Sequence, residues 1–236
     1  RGDVLRSAIK MADDACFRDC RSIYTVHTTT ADRLKRFNGF HAEVLMPPLN
    51  DPELFVAEEA QNYIFAGGRV NAGKRQHLLV EAMQYVKSDV KLIVAGPPDS
   101  THDTEKLRAL VAKHDLEPKV KLDLRYLPRS EIASLVNRSL GVAYIPFDED
   151  SVGYVTMEAA QASKPVITVT DAGGILDLVR DNDTGFVTTP DAKSLADAID
   201  RLAASSTKAC EMGLRGKAYW LGRRINWQTT IEKLLS

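Results

Sequence analysis

The sequence predicts an α/β protein, a doubly wound parallel sheet (Rossmann-like) of about six strands. Three observations carry this. From position 63 onward short β-rich runs alternate with segments of helical period. Most of those runs are apolar through both faces, as strands covered on both sides should be. The first of them runs straight into a glycine turn, Gly67-Gly68, ahead of a helical pattern.

Taken in order, residues 3–20 read as a helix, 22–26 as a strand, 30–37 as a capped helix stopped by Asn38-Gly39, and 42–46 as an apolar strand. Pro47-Pro48 and the acidic stretch 51–59 interrupt the pattern like a linker, which places a domain boundary there. The strand candidates of the second part are 63–66, 90–95, 120–124, 141–145, 166–170 and 185–187. Between them, Leu78, Leu79, Ala82, Met83 and Val86 form one apolar helical stripe, and Ile132, Leu135 and Val136 another. From Ala192 the tail is helical, with Trp220 and Trp227 expected to pack inside it.

Composition narrows the function. The 236 residues, 44% hydrophobic and 27% charged, suffice for one large domain or a complete domain plus part of another. With 31 Lys+Arg against 32 Asp+Glu the net charge is -1, so no nucleic-acid partner is expected. No apolar run approaches the roughly 20 residues needed to cross a bilayer. The chain begins with Arg1 and shows no basic-then-apolar leader, and it is expected to be a fragment or processed product of a cytoplasmic protein. Cys16, Cys20 and Cys210 show no Cys-x-x-Cys spacing and read as reduced thiols; His27, His41, His77, His102 and His114 show no metal spacing, and His27, at the end of a strand, reads as structural, with a place facing the cleft as the alternative. The run from Asp181 to Gly185 resembles the start of a calcium loop, but its glycine comes one place early and no glutamate follows, so a turn is expected.

In a doubly wound sheet the ligand crevice lies beyond the carboxyl ends of the strands. Two loops there carry unusual chemistry. In Gly67-Gly68-Arg69-Val70-Asn71-Ala72-Gly73-Lys74-Arg75 two cations, Arg69 and Lys74, stand five residues apart and can converge on an anion. Gly68 to Lys74 also fits the start of a phosphate loop, but Arg75 occupies the place of the magnesium-binding hydroxyl. The second loop, Asp148-Glu149-Asp150-Ser151-Val152-Gly153, opens a helix near Gly153, where backbone amides and the helix dipole favour phosphate or sugar oxygens. Asp150 and Glu158 bracket it eight residues apart, and Glu158, among Ala159, Ala160 and Ala162, needs a hydrogen-bonding partner.

Gly68-Arg69 with Lys74, then Asp150, Gly153 and Glu158, then Ser163-Lys164-Pro165-Val166-Ile167, the run from Ala172 to Val179, and Asp183-Thr184-Gly185-Phe186-Val187 follow one another in an order that resembles the donor-binding half of a retaining GT-B glycosyltransferase of family 4 (glycosyl transferases group 1). The resemblance covers roughly residues 63–235 and divides the chain into 1–60, a remnant of the N-terminal acceptor domain and linker, and 61–236, the donor-binding domain with its C-terminal helices. It implies that Arg69 and Lys74 hold the donor's diphosphate, that amides of Val152, Gly153, Tyr154 and Val155, with Gly68, contact phosphate or sugar oxygens, and that Glu158 bonds the ribose hydroxyls. Asp150 stands where the family has a glutamate that meets the transferred sugar. Arg125 and Tyr126 stand near a position where relatives have a glycine beside the base.

The implied substrate is a nucleotide-diphosphate-sugar of UDP or GDP type, with no cofactor and no metal. The implied partners are a glycan, lipid-linked or small-molecule acceptor and the missing N-terminal domain. The parent protein is expected to be cytoplasmic, with peripheral attachment to the inner face of a membrane as an option if the acceptor is lipid-linked. A P-loop-like magnesium-dependent nucleotide-binding protein and a non-catalytic pseudo-glycosyltransferase scaffold are the alternatives.

Overall fold

The computed structural model describes residues 2–236. Its elements, in chain order, are α1 (Gly2–Asp19), β1 (Tyr24–Thr25), α2 (Thr28–Asn38), β2 (Glu43–Val44), β3 (Tyr63–Gly67), α3 (Gln76–Ala82), β4 (Lys91–Ala95), α4 (Thr101–Lys113), β5 (Val120–Asp123), α5 (Arg129–Asn137), β6 (Gly141–Ala143), α6 (Tyr154–Gln161), β7 (Val166–Val169), β8 (Gly185–Thr188), α7 (Ala192–Ala203), α8 (Ser206–Gly222) and α9 (Trp227–Leu235). They form two compact units, one of residues 2–48 with Ile225–Ser236 and one of Leu49–Arg224.

In the smaller unit β1 and β2 pair in parallel, Tyr24 opposite Glu43. Helix α9 joins them through the Tyr24 hydroxyl, which donates to the Lys233 carbonyl at 3.3 Å, and a 2.8 Å ion pair between Lys233 and Glu43. His27 caps α2: its buried ring Nδ1 accepts the Thr29 amide at 3.2 Å, and its place is structural. Trp227, expected to be packing, is 50% exposed at the start of α9, a helix that also exposes Ile231, Leu234 and Leu235 and buries Thr230; Trp220 is buried in α8 as expected.

The stretch 51–59, read as linker, stays with the larger unit. Phe55 is fully buried, and Asn137 at the end of α5 accepts the Val56 amide at 3.1 Å while donating to the Leu54 carbonyl at 2.8 Å. By these contacts residues 49–60 group with the larger unit, Leu49–Arg224.

The larger unit is the doubly wound fold the sequence predicts. Its sheet has strand order β5-β4-β3-β6-β7-β8 with every pairing parallel. The chain steps outward from β3 to β5 and returns to the other side of β3 with β6. Successive loops therefore diverge between β3 and β6, and a crevice opens there at the carboxyl ends. Helix α3 packs against α4 and α7, and α6 against α5 and α8, so the centre of the sheet is covered on both sides.

Every residue of β3, β6 and β7 is buried, but β4 and β5 depart from the two-faced apolar expectation. Lys91 and Lys121 are exposed and, with Glu117, line a groove of about 590 Å³ at the amino ends of β3, β4 and β5. Where β4 and β5 open onto this groove, alternation returns.

Helix α7 depends on its cap. Asp191 Oδ1 accepts the Ser194 amide at 2.9 Å, and the Thr189 and Ser194 hydroxyls with that amide hold the Asp191 carboxyl down at about 2. Asp191→Ala is expected to cost about 1 kcal/mol of stability at neutral pH. A depressed carboxyl stabilises above its unfolded value and loses that contribution as pH falls through its folded value. Urea titrations of both proteins should therefore converge as the pH approaches about 2.

Candidate functional site

The loop after β3 is pinned at both ends. The Gly68 amide bonds the Ala95 carbonyl at 3.1 Å, Asn71 Oδ1 accepts the Lys74 amide at 2.9 Å, and buried Gln76 donates to the Arg69 carbonyl at 2.8 Å. The backbones after β3 and β4 nearly touch: a Cβ on Gly96, at φ +138°, would lie 2.1 Å from the Gly68 carbonyl oxygen. Glycine is the residue this approach permits.

The loop after β6 is held by its neighbours. The Phe147 amide bonds Gly73 at 2.9 Å, the Glu149 amide bonds Ala172 at 3.1 Å, and Glu149 accepts the Gly174 amide at 2.9 Å. Gly153 turns the chain into α6 with φ 71° and ψ 134°, and a Cβ there would meet the Tyr144 ring at 2.5 Å. Tyr154 and Val155 then open α6, so their amides belong to the first turn, which has no intrahelical acceptor.

Between these loops lies a cavity of about 260 Å³ at the crevice between β3 and β6. Gly68, Arg69, Tyr154, Val155 and Glu158 all line it, with Phe65, Gly96 and Leu127 supplying apolar wall and Tyr126 its rim. Arg125 does not line it; its guanidinium pairs with Glu131 and Asp123 instead. Lys74, Asp150, Val152 and Gly153 lie outside it: Val152 and Gly153 are buried in the turn, and Asp150 is exposed.

Glu158 has the partner its burial demands. It is 4% exposed, and Arg129 at the start of α5 donates Nη1 to its Oε1. Burial pushes the Glu158 carboxyl up, and Arg129 draws it only part of the way back. Arg129 is itself fixed by the Asn50 carbonyl at 2.6 Å and lies over the Phe55 ring at 4.8 Å.

Lys74 is not free for the cavity. Its ammonium bonds Glu149 and, at 2.9 Å, the Tyr144 hydroxyl. Burial opposes its charge, but these two bonds outweigh burial and raise its pKa above that of an ordinary lysine. Arg69 remains largely exposed, 3.7 Å from Asp99.

Arg75, the residue that broke the phosphate-loop pattern, takes a left-handed conformation, φ 55° and ψ 29°. Its guanidinium bonds the Ile145 carbonyl at 2.8 Å, the Pro146 carbonyl at 2.7 Å and both oxygens of Asp171 at 3.0 and 2.7 Å. It is a tie between three loops and offers nothing to a magnesium ion. No cluster of three or more metal-ligating side chains occurs among the described residues, where all three cysteines are free and exposed and no helix is long and apolar enough to cross a membrane.

Sequence spacing missed Arg129, Tyr144, Glu149 and Asp171. Each meets its partner across a separation of 29 to 96 residues, except that Tyr144 and Glu149 also face one another. Only the need of Glu158 for a partner was legible, not which residue supplies it.

Comparisons with known proteins place the chain among relatives. Residues 51–218 match the model of the family described as glycosyl transferases group 1. The alpha-1,3/1,6-mannosyltransferase ALG2 of Mus musculus is 32% identical over 134 residues, 55% of this chain and 32% of that protein. A D-inositol 3-phosphate glycosyltransferase of Geodermatophilus obscurus is 29% identical over 78% of this chain and 41% of its own length. The chain thus spans less than half the length of either curated relative.

Among solved structures, Anabaena HepE in complex with UDP and glucose superimposes with a TM-score of 0.84 at 21% identity, covering 98% of this chain and 65% of that one. The C-terminal domain of LpcC, a group 1 protein from Francisella tularensis, gives 0.65 at 18% identity and covers 74% of this chain and 98% of that domain. These likenesses are likenesses of fold. With the family model spanning most of the larger unit, crevice included, this chain belongs to the glycosyl transferases group 1 family and carries its GT-B fold.

Proposed function

We propose that this chain is the donor-binding part of a glycosyltransferase that moves a sugar from a nucleotide-diphosphate-sugar to an acceptor, with retention and without a metal. The observation that carries the reading is the 260 Å³ cavity, in which a buried carboxylate, Glu158, an exposed guanidinium, Arg69, and the first amides of α6 meet at the crevice of a doubly wound sheet. Arg129 occupies Oε1 of Glu158 and fixes the carboxylate as an acceptor for a pair of ribose hydroxyls. Tyr126 and Leu127 offer a flat, apolar neighbour to the base.

A departing nucleoside diphosphate gains negative charge in the transition state. Arg69 and the N-terminal end of α6 supply positive potential for it, and Lys74, bonded to Glu149 in the free protein, adds its own on leaving that partner, the role that magnesium plays in other phosphoryl-leaving reactions. The leaving phosphate can take the acceptor's proton on the same face, so retention demands no side-chain base. Asp150, exposed on the loop before α6, is one methylene shorter than the family's glutamate and reaches the transferred sugar directly or through water.

Two relatives suggest the donor's nature: HepE was crystallised with UDP and glucose, and ALG2 is named a mannosyltransferase. Calorimetry with UDP, GDP and ADP, with and without EDTA, tests the reading. Binding of one nucleotide unaffected by EDTA is expected, weakened roughly tenfold or more by Glu158→Gln, because a buried acceptor for two hydroxyls is then replaced by an amide. Absence of binding by all three, or binding that requires magnesium, overturns it.

A further inference from the structure

The cations that the loops bring to the crevice are each paired with a carboxylate. Arg69 stands by Asp99, Arg75 is clamped by Asp171, and Lys74 is bonded by Glu149. The three pairs differ in what they leave open. Arg69 is 69% exposed and its pair is long, so Asp99 does little to hold it. Arg75 is locked by four bonds to backbone and side chain. The Lys74 and Glu149 side chains are only 21% and 16% exposed, so water screens their attraction weakly.

Glu149 is also fixed in place. Its backbone pairs in parallel with Gly173, through bonds of 3.1 and 2.9 Å to Ala172 and Gly174. A Cβ on Gly173 would lie 2.3 Å from the Glu149 carbonyl oxygen, so the loop after β7 presses directly against it. The carboxylate is thus built into the site by main-chain contacts that do not depend on its charge.

We propose that Glu149 is an intramolecular competitor for the anion that Lys74 receives, a specificity-determining group that keeps the site charge-balanced until a diphosphate displaces it. The inference rests on the reading of the chain as a nucleotide-diphosphate-sugar binder. A ligand with too little negative charge cannot repay the loss of the Lys74–Glu149 pair; a diphosphate can, and Lys74 then swings from Tyr144 and Glu149 toward it. Removing the carboxylate should therefore strengthen nucleotide binding, the reverse of what loss of an ordinary binding residue does.

The test is calorimetric titration of wild type and Glu149→Gln with UDP, GDP and ADP. Glutamine preserves the side chain's size and all the backbone bonds, and thermal unfolding of both proteins checks that the fold is kept. Roughly tenfold tighter binding by Glu149→Gln is expected. Glu117→Gln, the same change of charge at the amino end of β5, should leave affinity unchanged. If wild type binds and Glu149→Gln binds equally or more weakly, Glu149 positions Lys74 instead and the competitor is overturned while the donor-binding reading stands. An equal gain in Glu117→Gln also overturns it, by reducing the effect to net charge. If neither wild type nor Glu149→Gln binds any of the three nucleotides, both inferences fall together.

Discussion

Arg129→Ala is expected to destabilise the protein by about 3 kcal/mol at neutral pH, because removing one partner of a buried ion pair leaves the other without compensation. The stranded group is Glu158, 4% exposed, and the same substitution removes the bond to the Asn50 carbonyl and the stacking over Phe55. Burial already raises the Glu158 carboxyl; without Arg129 it rises further. A raised carboxyl binds more protons in the folded than in the unfolded state. Its penalty is therefore absent below the unfolded value and grows as pH rises through the folded one. Denaturant titrations should show the gap between wild type and Arg129→Ala largest near neutrality and narrower on acidification. Glu158→Gln in the Arg129→Ala background should recover part of the loss. A gap that is constant with pH and indifferent to the second substitution would show that Arg129 acts through its other contacts, with Asn50, Asp51 and Phe55.

Gly96→Ala is expected to be comparably severe and to abolish nucleotide binding as well. The added Cβ falls 2.1 Å from the Gly68 carbonyl oxygen and 2.8 Å from its carbonyl carbon, at a φ of +138° that alanine rarely adopts. Backbone strain and forced displacement each cost about 1–3 kcal/mol. Relief requires the loop after β3 to move, and that loop carries Gly68 and Arg69, two of the residues lining the cavity. Unfolding and UDP calorimetry on one preparation measure both effects. Near-native stability with native affinity would mean that the two backbones separate without disturbing the crevice.

What the sequence made legible was whatever is encoded locally. The apolar runs at 63–66, 141–145 and 166–170 became strands because residues such as Ile64, Val142 and Ile167 have nowhere polar to face. The glycine turn and the helix start at Gly153 were visible because φ near +71° beside a tyrosine ring admits little else. Glu158 stood out as a carboxylate among alanines. What lay beyond reach was pairing. Nothing near Lys74 in the chain says that Glu149 will bond it, nor that Arg75, which spoils one motif, will lace three loops together. Likewise the lysines of β4 and β5 record a groove open beside them, a fact about neighbours rather than about those strands.

The order of the sheet sets a timetable for synthesis. Strand β3 is flanked by β4 on one side and by β6 on the other, with Ile64 opposite Gly141 and Phe65 opposite Val142. On a ribosome delivering residues one at a time, β3 emerges long before β6, and until then Ile64 and Phe65 lack half their cover. A stalled nascent chain ending ahead of β6 would present a greasy strand edge to chaperones, and the crevice would come into being only when translation has passed α6.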